Sequence, residues 1–516
     1  MFKSRQSVIL WFQTIQIKTM KKRVFYLLAL FFVLNSCTRD GLQNENPAIE
    51  AVQKDPLTGK QINAEINSTI KNTGSFNWKN ASDRLLWSAV FRGNRMVSIG
   101  FGASKDDFDR SLSPDNKAME AEILGLIQQY EGVEQTRFLI SSDQYLNQMD
   151  VVIDKEETIT ALRKMKNIRY VEPGDYHYFE IENSLNSNAK SSSGSSGCGF
   201  ESTALNIADY TTTTPNAKVP WAFTKHNIPN AWSYSTGAGV TIGLIDTGVS
   251  PEQTLLGSSF NTGASSGRTI SKFGSYVNGS TTDGPADQCG HGTKMASVMA
   301  APKNNAGLPV GVAYNANLIT YRAASNVVLE TSSEQNGVKT AFTDLANNTS
   351  VKIISMSMGH IFSVGKIEDG VKYAYSRGKL IFCAGGTSTS FTNFVGVIFP
   401  ASMSETQAVT GVKEGTSNQK CDVCHSGSQI DFTFQMERAN GNTVPVLSYY
   451  NNQADYVGGS SVATAATAGI AALVWAKNPS WTRDQVLNKM RQSATYYPTV
   501  NSSYGYGNIN VLAAVQ

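Results

Sequence analysis

The stretch VTIGLIDTG (240–248) sets the reading of the chain. Its first six residues are apolar or β-branched apart from one glycine, and they run straight into Asp246-Thr247-Gly248. A short run of this kind fits a strand covered on both faces, because a strand with one wet face would alternate apolar and polar residues. Runs of the same type follow at ANLITY (316–321), VKIISM (351–356), KLIFCA (379–384) and AVTGV (408–412). Between them, KTAFTDLANN (339–348) and EDGVKYAYSRG (368–378) carry apolar residues at helical spacing. Buried strands alternating with helices predict an α/β unit, a mostly parallel sheet with helices on both faces. In such sheets, sites form at the carboxyl ends of strands and at the adjoining helix starts.

Three motifs fall at such places. Asp246-Thr247-Gly248 ends the first strand. A carboxylate there can orient a partner, although an Asp in a turn is often no more than a turn former. Gly290-His291-Gly292-Thr293 opens the helical run KMASVMAA (294–301). Of the five His, this is the one set between two glycines, which leave room for a close neighbour. Gly458-Gly459-Ser460-Ser461 opens SVATAATAGIAALVWA, a run so small and apolar that its helix must be buried. A Ser at the start of that helix presents its hydroxyl and backbone N–H at the positive end of the helix dipole. That suits a nucleophile whose product is an oxyanion, and a plain N-cap Ser is the ordinary alternative.

In the order Asp, His, Ser these motifs resemble the subtilisin-like serine proteases, the subtilases. AWSYSTGAGVTIGLIDTGV (231–249), VIFPAS (397–402) and YGYGNINVLAAV (504–515) are similar to further signatures of that family. The resemblance covers roughly residues 219–516. It implies a serine endopeptidase that works through an acyl-enzyme on Ser461, with His291 as base and Asp246 as the group that orients it. It implies that the Ser461 backbone N–H is one oxyanion donor. It also implies that Ser357-Met358-Gly359 is the edge that pairs with substrate and that Cys383-Ala384-Gly385 lines the primary specificity pocket. The family's second oxyanion donor is an Asn, and Gly386 stands in its place here, with the Thr387 or Ser388 hydroxyl as the nearest replacement. His360 replaces a usual Gly and is expected to face solvent. The family makes its members with a propeptide, so a self-processing precursor is expected. Two other readings stay open: an impaired subtilase that binds peptides as a scaffold, and a protease dedicated to one precursor. No cofactor is required, structural calcium is admitted by the resemblance, and no residues are assigned to a metal.

The rest of the chain fits an exported precursor. Lys21, Lys22 and Arg23 precede an apolar run (24–34) too short to span a bilayer. It ends in Leu34-Asn35-Ser36-Cys37, which resembles a bacterial lipobox with Cys37 as the lipidated residue. Residues 1–37 therefore read as a signal with its true start at Met20, and the mature protein as a membrane-anchored lipoprotein of a bacterial envelope. Residues 38–74 read as a tether, and 75–180 as a small α+β propeptide domain with helices at 119–130 and 157–165 and strands at 149–153 and 168–171. The Ser/Gly-rich stretch 181–218 reads as a linker holding the maturation cut, and 219–516 as the catalytic domain. Partners are then a peptide or protein substrate, the chain's own propeptide and, through the lipid, a membrane. The net charge is +3 without a Lys/Arg block, so no nucleic-acid partner is expected. Of six Cys, Cys37 set aside leaves an odd five. Cys421-Asp422-Val423-Cys424-His425 spells a haem-attachment pattern, but by resemblance it is a surface loop, where a local disulfide or two free thiols are simpler readings. Cys289, two residues before His291, is expected near the site.

Overall fold

A computed structural model describes residues 55–185, 197–279, 281–387, 395–415 and 419–516. Pro56–Gln516 form one compact unit, and Met1–Asp55 form another, of which only Asp55 is described. The signal, Cys37 and residues 38–54 of the expected tether thus lie outside the described residues.

The apolar runs pair as the alternating pattern predicts. A seven-stranded sheet has the order Ile430–Glu437, Gln407–Lys413, Leu380–Ala384, Val351–Met356, Thr241–Asp246, Asn317–Arg322, Ile270–Gly274. Every neighbouring pair is parallel. The edge strand Ile270–Gly274 has no apolar run to announce it, since it alternates half-buried and exposed residues. The two faces are covered by different helices. Ile242, Leu244, Leu318 and Phe382 pack with the helices His291–Ala300 and Gly459–Lys477. Ile245, Ile354 and Ile381 pack with Ser332–Asn347 and Gly365–Ser376. Gly243 is needed for this second layer, because a Cβ there would stand 2.8 Å from Leu345. Among the described residues, only Gly459–Lys477 is long and apolar enough to cross a membrane, and it is the buried central helix.

Upstream, a four-stranded antiparallel sheet has the order Leu139–Ser142, Gln148–Val152, Met96–Phe101, Ile168–Pro173. Its helices include Asn116–Glu131 and Glu156–Lys164. The tether reading is corrected here. Gly59–Thr73 is a helix with a capping box at Thr58 and Gln61. It buries Ile62, Ile66 and Ile70, one per turn on a single face, in the core of this upstream part.

The linker reading is corrected as well. Tyr178–Leu185 is helical, 186–196 lie outside the described residues, and 197–218, though largely exposed, are tied down at defined points. Cys198 is bonded to Cys289, and Tyr210–Thr213 pairs antiparallel with Ala217–Pro220. The four-threonine run that reads as polar linker is β-branched, and in this hairpin that property decides its structure.

The upstream sheet docks on two helices of the large layer through buried ion pairs. Lys366 Nζ lies 3.0 Å from both carboxylate oxygens of Asp150, and Arg169 makes a two-pronged contact with Asp369 at 2.6 and 2.5 Å. The Glu172 carboxylate accepts the Gly365 N–H at 2.7 Å, and Asp175 accepts the Ser332 N–H at 2.9 Å. Each carboxylate meets an otherwise unpaired N–H at a helix N-terminus.

Candidate active site

The turn after Thr241–Asp246 and the start of His291–Ala300 are forced together by glycines. A Cβ on Gly292 would lie 2.2 Å from the Gly248 carbonyl oxygen and 3.2 Å from Asp246 Oδ1. Gly248 and Gly290 have φ of +106° and +88°, which L side chains rarely adopt. The result is a buried contact of 2.7 Å between His291 Nδ1 and Asp246 Oδ1. The carboxylate fixes the proton on Nδ1 and leaves Nε2 as a base. The same oxygen accepts the Thr247 N–H at 2.8 Å.

Asp287 holds this turn in shape, a role the sequence reading missed. Its Oδ1 accepts the Cys289 and Gly290 N–H groups at 2.9 and 2.8 Å and the Thr247 hydroxyl at 2.9 Å. Its Oδ2 accepts the Thr293 N–H at 2.9 Å and the Thr293 hydroxyl at 2.6 Å. The available signal was an Asp a few residues ahead of a helix start, the usual place for a capping acid.

Ser461 is half-buried in the first turn of Gly459–Lys477. It lines a cleft of about 530 Å³ together with His291, Ser357, Met358, Gly359, Ala384, Gly386 and Thr387. The cleft thus gathers most of the residues named from sequence. Cys383 and Gly385 are corrections to the expected pocket lining. The Cys383 thiol is wholly buried, and burial raises its pKa well above the usual thiol value. The Gly385 N–H bonds the Val409 carbonyl at 2.8 Å, and a Cβ there would meet Ile430 at 2.7 Å. The edge residue Gly359 is also not free to pair. Its N–H donates to the Val327 carbonyl at 3.1 Å and its carbonyl accepts the Leu329 N–H at 3.2 Å. His360 is buried rather than facing solvent, with ring centroids 3.9 Å from Phe362 and 5.3 Å from Phe179. Burial pushes its pKa down to about 3.

At Gly386 no side chain fits. A Cβ there would stand 2.5 Å from His425 Nδ1, and φ is +124°. The Gly386 N–H donates to Ser460 Oγ at 3.2 Å. Thr387 Oγ1 lies 3.2 Å from the same oxygen and accepts the Ser460 N–H at 3.3 Å. Ser388 lies outside the described residues. Cys421 and Cys424 form the local disulfide expected of this segment and are buried with His425, while Asp422 and Val423 between them are exposed, so the segment is a surface turn pinned to the core. His425 bonds the Gly396 carbonyl through Nδ1 at 2.8 Å. Cys289 is disulfide-bonded beside His291.

Residues 237–507 match the model of the Subtilase family. The chain belongs to the subtilase family. It is 30% identical over 312 residues to an alkaline protease of Alkalihalobacillus alcalophilus, covering 60% of this chain and 73% of that protein. It is likewise 30% identical over 302 residues to subtilisin Savinase of Lederbergia lenta, covering 58% of this chain and 99% of that one. MycP1 of Mycobacterium smegmatis aligns with a TM-score of 0.47 at 20% identity, over 62% of this chain and 91% of that structure. As a subtilase, the chain is a serine endopeptidase, and its substrates are peptides or proteins.

Proposed function

We propose that Ser461 is the nucleophile, His291 the general base and Asp246 the residue that orients it. The observation that carries this is the buried 2.7 Å contact of Asp246 with His291 Nδ1, at the wall of the cleft that Ser461 also lines. Ser461 Oγ attacks the scissile carbonyl while His291 Nε2 takes its proton and then passes it to the leaving amine. Asp246 stabilises the imidazolium that forms between these steps. The Ser461 backbone N–H, at the head of a 19-residue helix, faces the developing oxyanion with the dipole in its favour. With no side chain possible at Gly386, the Thr387 hydroxyl supplies the second donor, held beside Ser460. Met358 and Ala384 line the acyl-residue pocket.

We infer that residues 56–185 act as the propeptide. Their sheet is seated on two helices of the catalytic layer, and Phe179 lines the cleft. The cut that frees them falls between that part and Cys198, and the chain performs it itself. Export and lipid anchoring at Cys37 complete this reading, which rests on the signal-like sequence ahead of it. Among the described residues, no group of three or more His, Cys, Asp or Glu side chains is placed to hold a metal ion. No step of the mechanism is routed through it.

The test compares the full chain with Ser461→Ala on casein and on its own precursor. The wild type is expected to cut both, and the variant neither. Equal cutting by the two chains, or none by the wild type, rejects the assignment.

A further inference from the structure

The motif Cys421-Asp422-Val423-Cys424-His425 has no part in the mechanism above, yet it lies directly behind Gly386 and Thr387. The His425 N–H donates to the Gly386 carbonyl at 2.9 Å, and Thr387 and Cys424 face each other as an antiparallel bridge. The His425 ring stands against the bare Cα of Gly386, where a Cβ would meet Nδ1 at 2.5 Å and Cγ at 3.0 Å. Ring and backbone of His425 thus hold Gly386 from behind, while the Gly386 N–H holds Ser460 Oγ in front.

The turn is itself fixed. His425 Nδ1 meets the Gly396 carbonyl at 2.8 Å, and the His425 carbonyl accepts the Thr410 hydroxyl. Burial lowers the pKa of the ring, which keeps it neutral with its proton on Nδ1, where the Gly396 carbonyl requires it. The Cys421–Cys424 disulfide closes the turn. A Cβ on Gly411 would lie 2.8 Å from Cys424 Sγ, so this sulfur rests on Gln407–Lys413, an inner strand of the seven-stranded sheet.

A hydrogen-bond donor accelerates the reaction when it is in place before the oxyanion forms. A Gly-Gly backbone loses more freedom on being fixed than any other, and residue 386 has no side chain with which to anchor itself. The restraint has to come from outside the segment, and the turn supplies it. We propose that the disulfide-closed turn 421–425 is a brace that positions Thr387 as an oxyanion donor, with His425 as its positioning residue. This rests on the assignment of Thr387 as the second donor above. His425 is buried behind the cleft wall and acts through Thr387.

Steady-state kinetics on casein with His425→Ala, Thr387→Ala and the two combined provide the test. His425→Ala is expected to lower kcat by about 10–10², the scale on which a small misplacement near the reacting atoms is felt. Its KM is expected to stay within about threefold. In the Thr387→Ala background the same change is expected to cost less than about threefold, because the donor it positions is gone. His425→Asn is expected to recover most of the loss, since its amide nitrogen, like Nδ1, is one bond beyond Cγ. The pair Cys421→Ser with Cys424→Ser is expected to lower kcat as His425→Ala does. A His425→Ala enzyme with wild-type kcat, or one that loses the same factor with and without Thr387, overturns the proposal. Should His425→Ala not fold, Thr410→Val, which removes only the hydroxyl on the His425 carbonyl, takes its place in the same cycle. The two possible failures are distinct. A Thr387→Ala enzyme as fast as wild type removes the donor and the brace together, whereas a slow one in which the two losses multiply contradicts the brace alone.

Discussion

Ser461 and Gly386 face the same reaction with opposite prospects. The proposed nucleophile stands at the head of a helix and shares its cleft with His291, whereas Gly386 stands where the family resemblance implies an Asn donor. Restoring that side chain does not restore the donor here. In Gly386→Asn the new Cβ would press on His425 Nδ1 at 2.5 Å, with the backbone in a region that asparagine rarely adopts, so the variant is expected to lose kcat. Thr387→Ala is expected to lower kcat by about 10²–10³ with little change in KM, while Thr387→Ser retains most of it, as steady-state kinetics on a peptide amide would show. A Thr387→Ala enzyme as fast as wild type would remove the hydroxyl from the mechanism. The three motif residues were legible in the sequence because their glycine settings are local and specific. Asp287 and His425 were not, since their roles are set by atoms distant in the chain. The pairing of Gly359 with Val327 and Leu329 was hidden for the same reason.

At the scale of elements, apolar runs identified the inner strands because burial on both faces leaves no other composition. Ile270–Gly274 and the hairpin Tyr210–Thr213 with Ala217–Pro220 escaped because edge and surface strands carry polar residues. Gly59–Thr73 escaped because only three isoleucines on one face distinguish it from a polar tether. His226 links several of these elements. Its Nδ1 meets the Ile509 carbonyl at 3.0 Å, its Nε2 accepts the Gln435 N–H at 3.0 Å, and its ring stacks on Phe434. Burial pushes its pKa down to about 4 from an ordinary 6.5. The unfolded chain therefore takes up the proton first, and stability falls as pH drops from 6.5 towards 4, by up to about 3 kcal/mol. Denaturant midpoints at pH 7 and 4.5 are expected to differ more for the wild type than for His226→Gln. Equal shifts in both would place the acid sensitivity elsewhere.

For the whole molecule, the contact between residues 56–185 and the catalytic layer depends on charges buried at helix starts. Breaking one is costly, because the partner is left buried and unpaired. Asp369→Ala strands Arg169 and is expected to weaken docking by about 3–5 kcal/mol. Glu172 gives the contact a pH dependence. Burial pushes its pKa up to about 8, so the docked form retains a proton that the free, solvated carboxyl gives up near 4.5. Docking is then strongest below 4.5 and weakens as pH rises towards 8, by at most about tenfold per pH unit. After cleavage between the two parts, co-elution on gel filtration from pH 5 to 9 is expected to fall with rising pH for the wild type and to stay flat for Glu172→Gln. A flat wild-type profile would mean that Glu172 is already ionised at the interface.

The most direct measurement of the central assignment is covalent. The full chain and its Ser461→Ala variant are treated with a fluorophosphonate and digested, and the adduct is mapped by mass spectrometry. One adduct per chain, on Ser461 of the wild type and absent from the variant, is the predicted result. An unlabelled wild type, or an adduct that persists in Ser461→Ala, would contradict Ser461 as the nucleophile.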